Sequence, residues 1–343
     1  MRLTDGRCTD YSGPEHNADA EARMPAESMG LDVVLLLVSV GVLYAGAELL
    51  VRGSGRLAIA MRIRPLVVGL TVVAFATSAP EFVVGLTATL RNVSDIAVGN
   101  IIGANIANVG LIIGLSALVR PLQVHKHLWR KEVPAMIGAQ ALLWIFCLNG
   151  MLGRWEGLTL VAVLVAFVVW MIRTAKDREA APLPDGVKEK PRRAVNVIQV
   201  VAGVALLVLG GNLLVHGAVG VAKVAGLSHL AIGLTVVAFG TTVPELATSV
   251  VAARRGEGDI AVGNAIGSVF FNTACVLGLA SALRPINISW DVYWIKLPVM
   301  LALVLVLVPF VRTGSRVARW EGAVLVACYV AFVVYSVWSG AGG

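Results

Sequence analysis

A thirteen-residue stretch, Gly69–Glu81 (GLTVVAFATSAPE), recurs 164 positions later as Gly233–Glu245 (GLTVVAFGTTVPE), with ten of the thirteen positions identical. Both copies lie in long apolar surroundings, and both end in a glutamate directly after a proline. A proline ring removes an N–H and displaces the carbonyl one turn back, so each copy predicts a helix interrupted at Pro80 or Pro244. A carboxylate at membrane depth is costly and marks a functional position by default. Two such elements in one chain predict a single ion site built from both.

The rest of the chain fits a membrane setting. Its 343 residues are 57% hydrophobic and 14% charged, with a mean hydropathy of +0.82; a soluble domain is about a quarter charged. Apolar runs of about 20 residues between charged joints predict helices, since barrel strands are about 10 residues long and alternate. Ten spans are predicted: 32–51, 65–90, 95–118, 133–150, 155–173, 195–216, 228–253, 259–282, 292–311 and 320–339.

The 164-residue offset extends well beyond the proline motif. It pairs Gly46 with Gly210, Gly53 with Gly217, and DIAVGNIIGANIAN (95–108) with DIAVGNAIGSVFFN (259–272). Arg154-Trp155-Glu156-Gly157 recurs as Arg319-Trp320-Glu321-Gly322, one position further along. Five spans per copy is an odd number, so the second copy enters the membrane from the opposite side, as in inverted-repeat transporters. The expected fold is an all-α integral membrane protein: ten transmembrane helices as two inverted five-helix repeats, with the second and seventh helices broken. The expected divisions are a polar, disordered tail (1–31), a first repeat (32–173), a charged linker (174–193) and a second repeat (194–343). The tail lacks the apolar core of a cleavable signal peptide, and Met24 or Met29 could serve as an alternative start.

Most of the 28 Lys and Arg residues fall in alternate joints. That side is expected to be cytoplasmic, which puts both termini outside and the protein in the cell (inner) membrane. The net charge of +7 then reflects topology, with no nucleic acid as partner and no obligate protein partner. Tryptophans such as Trp129, Trp155, Trp290 and Trp320 sit near span ends, as an interfacial belt does. Cys147, Cys275 and Cys328 lie in apolar runs and are expected to be buried free thiols. No nucleophile–base pair or cofactor motif appears, so neither an enzyme nor a cofactor is expected.

The paired motifs offer oxygen alone: the carboxylates of Glu81 and Glu245, the hydroxyls of Thr77, Ser78, Thr241 and Thr242, and backbone carbonyls freed by the prolines. Hard cations take oxygen ligands, Ca2+ about 6–8 of them. Two carboxylates neutralise one divalent ion, and the same oxygens suit Na+. The plainer reading is that the hydroxyls only repair a broken helix and the glutamates are protonated or ion-paired; the absence of Lys and Arg from both spans argues against it. Asn108 and Asn272 either line the site or bond between helices, and Asn100 and Asn264 have the same two options. Asp95 and Asp259, at helix starts, are expected N-caps. The Gly99/Gly103 and Gly263/Gly267 pairs suit tight helix packing. Glu48 and Arg52 are spaced for an i,i+4 ion pair.

With these motifs the chain resembles the cation/calcium exchanger superfamily, in particular prokaryotic sodium/calcium exchangers, over residues 32–339. The resemblance implies alternating access by sliding of the first and sixth helices, with Na+ moving inward and Ca2+ outward. It implies Glu81 and Glu245 as Ca2+ ligands shared with Na+, and Thr77 and Thr241 as carbonyl or hydroxyl ligands. Ser78 and Thr242 would serve Na+, Ala74 and Ala238 would offer carbonyls, and Asn108, Ser268 and Asn272 would complete the cluster. Three positions depart from the family pattern: Ala104 replaces a common serine, Thr242 replaces a serine, and Asn272 is neutral where some members carry aspartate. The expected function is a Na+/Ca2+ antiporter. The alternative is a Ca2+/H+ exchanger using the same glutamates, and Mn2+ is a plausible competing cation.

Overall fold

The computed structural model describes residues 26–61, 63–91, 93–124, 128–176, 193–224 and 238–341. The tail before Ala26, most of the linker and residues 228–237 of the seventh expected span lie outside the described residues. Among the described residues the chain is helical apart from four two-residue strands and short connections. Among these residues seven helices are long and apolar enough to cross a membrane, and one bent pair brings the number to eight.

The first half runs α1 (Ala26–Met61), α2 (Pro65–Val68), a π-helical turn π1 (Gly69–Val73), α3 (Ala74–Thr77) and α4 (Ala79–Leu90). It continues with α5 (Ser94–Ala107), π2 (Asn108–Ile113), α6 (Gly114–Val119), β1 (Leu122–Gln123) and π3 (Leu128–Glu132), and closes with α7 (Val133–Phe146), β2 (Met151–Leu152) and α8 (Arg154–Lys176). The second half begins with α9 (Arg193–Val224) and α10 (Ala238–Arg255). It then repeats the earlier order as α11 (Gly258–Phe271), π4 (Asn272–Leu277), α12 (Gly278–Leu283), β3 (Ile286–Asn287), π5 (Val292–Lys296), α13 (Leu297–Gly314), β4 (Arg316–Val317) and α14 (Arg319–Ala341).

Three findings depart from the expected elements. Helix α1 covers Ala26–Met61, well past the apolar run at both ends. Pro244 stands inside α10 without ending it. Asp95 and Asp259 are not N-caps: Val93 and Glu257 hold those positions without a side-chain cap, and the two aspartates fall in the first turn. The Asp259 carboxylate there still meets the positive end of the helix dipole.

The long helices α1 and α9 pack antiparallel along most of their length. Glycine makes this possible: a Cβ on Gly203 would meet Leu50 N at 2.6 Å and Gly46 O at 2.8 Å. Real Cβ atoms do not come that close to backbone, so the two chains touch directly. The remaining elements interlock across the halves. Helix α14 packs on α6 and π2, while α8 packs on α12 and π4. Strand β1 pairs antiparallel with β4, and β2 with β3. Exchanging the two halves converts each of these pairings into the other.

The core of large apolar side chains lies where α5–π2 and α11–π4 meet the broken helix, with Ile101, Ile106, Ile112, Ile266 and Val269 almost wholly buried. Trp155, Trp290 and Trp320 are exposed, as an interfacial belt requires. Cys147 is buried and Cys275 half-buried, but Cys328 is exposed, because α14 turns that face outward. Glu48 forms the expected pair with Arg52 (2.5 Å) and accepts a second arginine, Arg255, at 3.0 Å.

Candidate ion-binding site

The broken helix parts at Ser78, whose backbone (φ −81°, ψ 9°) leaves the helical region. Helices α2–α3 and α4 meet there with a bend of 48°. Pro80 sits at the start of α4, where its missing N–H is tolerated. The same missing N–H leaves the Ala76 carbonyl without its helical donor. Glu81 follows in the first turn of α4, wholly buried.

Helix α10 brings Thr241, Thr242 and Glu245 to the same place, all three buried. The Ser78 hydroxyl donates to Glu245 Oε1 at 2.9 Å, which joins the two halves directly. Thr77 lies beside Glu245, and Thr241 beside Glu81. The two carboxylates are near enough to repel each other. Neither carboxylate makes an ion pair with a basic residue among the described residues.

Residues of α5–π2 and α11–π4 complete the surroundings. Asn108 and Asn272 each open a π-helical turn and are wholly buried. A π turn inserts one extra residue into a helix and is common at functional sites; here it sets the two amides at matching places in the two halves. Ser268 is wholly buried on α11, while Ala104 at the matching position of α5 has no hydroxyl to offer. Helix α11 is drawn onto the broken helix at Gly267, where a Cβ would meet Leu70 O at 2.6 Å. Gly263 meets Leu66 O in the same way, so this glycine pair packs tightly as expected. Gly99 and Gly103 meet nothing within 4 Å; the matching partner segment, 230–238, is almost entirely outside the described residues.

The polar atoms of this cluster are left unsatisfied. Both oxygens of Glu81, Oε2 of Glu245, the Ser268 hydroxyl and both amide heads of Asn108 and Asn272 are buried without a hydrogen-bond partner. Together these side chains present six oxygens with no partner, two from Glu81 and one each from Glu245, Ser268, Asn108 and Asn272. Buried polar groups are normally paired, and an unpaired buried charge is costlier still. A dehydrated cation at this place would be met by these oxygens, the ligand type that hard cations prefer, while the two amide nitrogens, being donors, would point away from it.

The other expected site residues divide. The Ala74 carbonyl accepts the Ser78 N–H at 3.0 Å and so already has one partner. Ala238 is the first residue of α10. Thr77 donates to Asn264 Oδ1 at 3.0 Å, so Asn264 takes part in bonds across the halves. Sequence reasoning missed Ser249, which accepts from Asn264 at 3.0 Å, and Asn105, which donates to Thr273 at 2.9 Å. The one available signal was their absence from the repeat: position 85 is Gly where 249 is Ser, and 269 is Val where 105 is Asn.

The family model for sodium/calcium exchanger proteins matches residues 31–173 and 195–338, nearly all of both halves. The chain belongs to the sodium/calcium exchanger family. Within this exchanger family, sodium/calcium exchanger MaX1 of Methanosarcina acetivorans is 30% identical, over 89% of this chain and 98% of the relative. Inner membrane protein YrbG of Escherichia coli is 33% identical over 90% and 98% of the two chains. Among solved structures, the sodium-calcium exchanger NCX_Mj soaked with Na+ and Ca2+ matches with a TM-score of 0.79 at 28% identity, over 89% of this chain and 98% of that one. This exchanger is therefore a multi-pass membrane protein of the cation/calcium antiporter class.

Proposed function

We propose that this chain is a secondary-active antiporter that exports Ca2+ in exchange for Na+ by alternating access. The observation that carries the proposal is the set of unpaired buried oxygens on Glu81, Glu245, Asn108, Asn272 and Ser268. In this reading Glu81 and Glu245 neutralise one Ca2+, Thr77 and Thr241 supply neutral oxygens, and Ser78 and Thr242 serve Na+. The carbonyls of Ala74 and Ala238 complete the shell on one side, and the Asn108 and Asn272 amides with Ser268 on the other. Two carboxylates cannot serve Ca2+ and a full set of Na+ together, so occupancy by one ion displaces the other, which is the condition for exchange.

The proposed architecture is ten transmembrane helices in two inverted five-helix repeats, with both termini extracytoplasmic. It is supported by the repeated element order, by the exchangeable strand pairings and by the distribution of Lys and Arg. Inverted repeats around one midplane site supply two conformations of equal kind, one opening to each side. The glycine-packed pair α1–α9 is the proposed moving body. Ala104 removes one hydroxyl from the first half, so we infer that its Na+ sites are not equivalent to those of Ser268-bearing α11.

The test is equilibrium binding of radiolabelled Ca2+ to the purified protein in detergent. Saturable binding that Na+ displaces, and that Glu81→Gln and Glu245→Gln each abolish, is the expected result. Ca2+ binding that protons displace and Na+ leaves untouched would move the assignment to Ca2+/H+ exchange at the same glutamates.

A further inference from the structure

The hydroxyl of Thr77 has one proton to give. In the structure it goes to Asn264 Oδ1 at 3.0 Å; the Ala74 carbonyl is distant at 3.4 Å, and the Glu245 carboxylate, which also lies beside Thr77, already accepts the Ser78 hydroxyl at 2.9 Å. The amide nitrogen of Asn264 donates to Ser249 Oγ at 3.0 Å and to the Glu245 carbonyl at 3.3 Å. Ser249 in turn donates to the Ala261 carbonyl at 3.3 Å. Thr77, Ser249, Asn264 and Glu245 are all buried, with at most 1% of any of them exposed.

The chemistry of this chain of bonds is directional. An amide whose two donor protons are committed to Ser249 and to a backbone carbonyl has no freedom to flip, so its oxygen stays aimed at Thr77. A hydroxyl that gives its proton to a fixed acceptor offers only lone pairs in its remaining directions. That is what a cation ligand requires, because a hydroxyl proton turned toward the ion would repel it. The same amide also ties the main chain at Glu245, on α10, to the break in the other half.

We propose that Asn264 is a positioning residue of the ion site: it takes up the Thr77 proton so that Thr77 presents lone pairs to the cation. The inference rests on the antiporter reading and deepens it. The anchoring of the amide nitrogen differs between the halves. The matching first-half residue, Asn100, has Gly85 where Asn264 has Ser249, and its amide nitrogen is buried with no partner. Thr77 is thereby a fixed lone-pair ligand by construction, and the two amides differ in how their nitrogens are anchored.

Ca2+ binding to the purified full-length protein, with thermal unfolding measured alongside, tests the proposal in wild type, Asn264→Ala, Thr77→Val and the double variant. Asn264→Ala is expected to raise the half-saturating Ca2+ about ten-fold, the scale of one buried hydrogen bond to a charged site. The double variant is expected to bind no more weakly than Thr77→Val, because Asn264 acts through Thr77. Wild-type half-saturation in Asn264→Ala, or a loss that adds in full to that of Thr77→Val, would overturn the proposal and leave Asn264 a packing residue. Should Asn264→Ala not fold, Ser249→Ala gives the same reading: a smaller rise that disappears in the Thr77→Val background supports it, and an unchanged or fully additive value refutes it. Wild type without saturable Ca2+ binding would overturn the antiporter reading as well, so the two failures are distinct.

Discussion

Replacing Glu81 by glutamine separates the cost of the site from its use. Both oxygens of Glu81 are wholly buried without a well-formed hydrogen bond, although Thr241 lies beside them, and Glu245 lies close enough to repel them. In a cation-free protein this carboxylate is an uncompensated buried group, and the effective penalty for one ion after relaxation is several kcal/mol. Glutamine keeps the shape and removes the charge. Part of the gain is lost because its amide is equally unpaired, at about 1–3 kcal/mol, which leaves a net stabilisation of about 1–3 kcal/mol. Ca2+ acts in the opposite sense: at a hundred times its dissociation constant it stabilises the wild type by about 2.7 kcal/mol through mass action. The assay is thermal unfolding in detergent at pH 8, in a Na+-free buffer with chelator or with millimolar Ca2+. Glu81→Gln is expected to unfold a few degrees higher than wild type with chelator and to show no Ca2+-induced shift. A variant that is less stable with chelator, and still stabilised by Ca2+, would refute the view that Glu81 is held unpaired for the ion.

Three further outcomes follow from local geometry. Ser78→Ala removes the 2.9 Å bond to Glu245 Oε1 and is expected to lower cation-free stability by about 2 kcal/mol, with Ca2+ recovering most of it in the same unfolding assay. Gly203→Ala places a Cβ 2.6 Å from the Leu50 nitrogen and is expected to cost about 1–3 kcal/mol by forcing α1 and α9 apart; Gly41→Ala, with nothing within 4 Å, is the neutral control. Glu257, in the turn between α10 and α11, has its carboxyl held above the usual range, chiefly by burial, with Arg255 pulling it down and Glu48 pushing it up. A raised carboxyl favours the folded state while protonated, and that contribution is lost as pH rises through the raised value. Glu257→Gln is therefore expected to match wild type in acid and to be the more stable protein at pH 8.

Much of this was legible in the residues because the membrane imposes its own grammar. Apolar runs marked the helices, and a carboxylate beside a proline in such a run is too costly to persist without a use, so Glu81 and Glu245 stood out with their neighbouring hydroxyls. Repetition singled out Asn108 and Asn272 as a pair. The π-helical turns that begin at these two residues were not legible, because an extra residue in a helix leaves no mark in hydropathy. The two-residue strands were equally silent: Leu122 pairs with Val317 and Leu152 with Ile286, contacts set by the packing of distant helices. Pro244 sits in a continuous α10 although Pro80 marks a break, so the same ring in the same motif did not fix the backbone by itself. The role of Asn264 was hidden because it depends on Ser249, which the repeat does not share.

The most direct measurement is uptake of radiolabelled Ca2+ into proteoliposomes of the purified protein, loaded with Na+ or with an impermeant cation, with and without a pH gradient. The account predicts uptake that requires internal Na+, ignores the pH gradient and vanishes in Glu245→Gln. Uptake that follows the pH gradient in vesicles free of Na+, or that persists in Glu245→Gln, would contradict it.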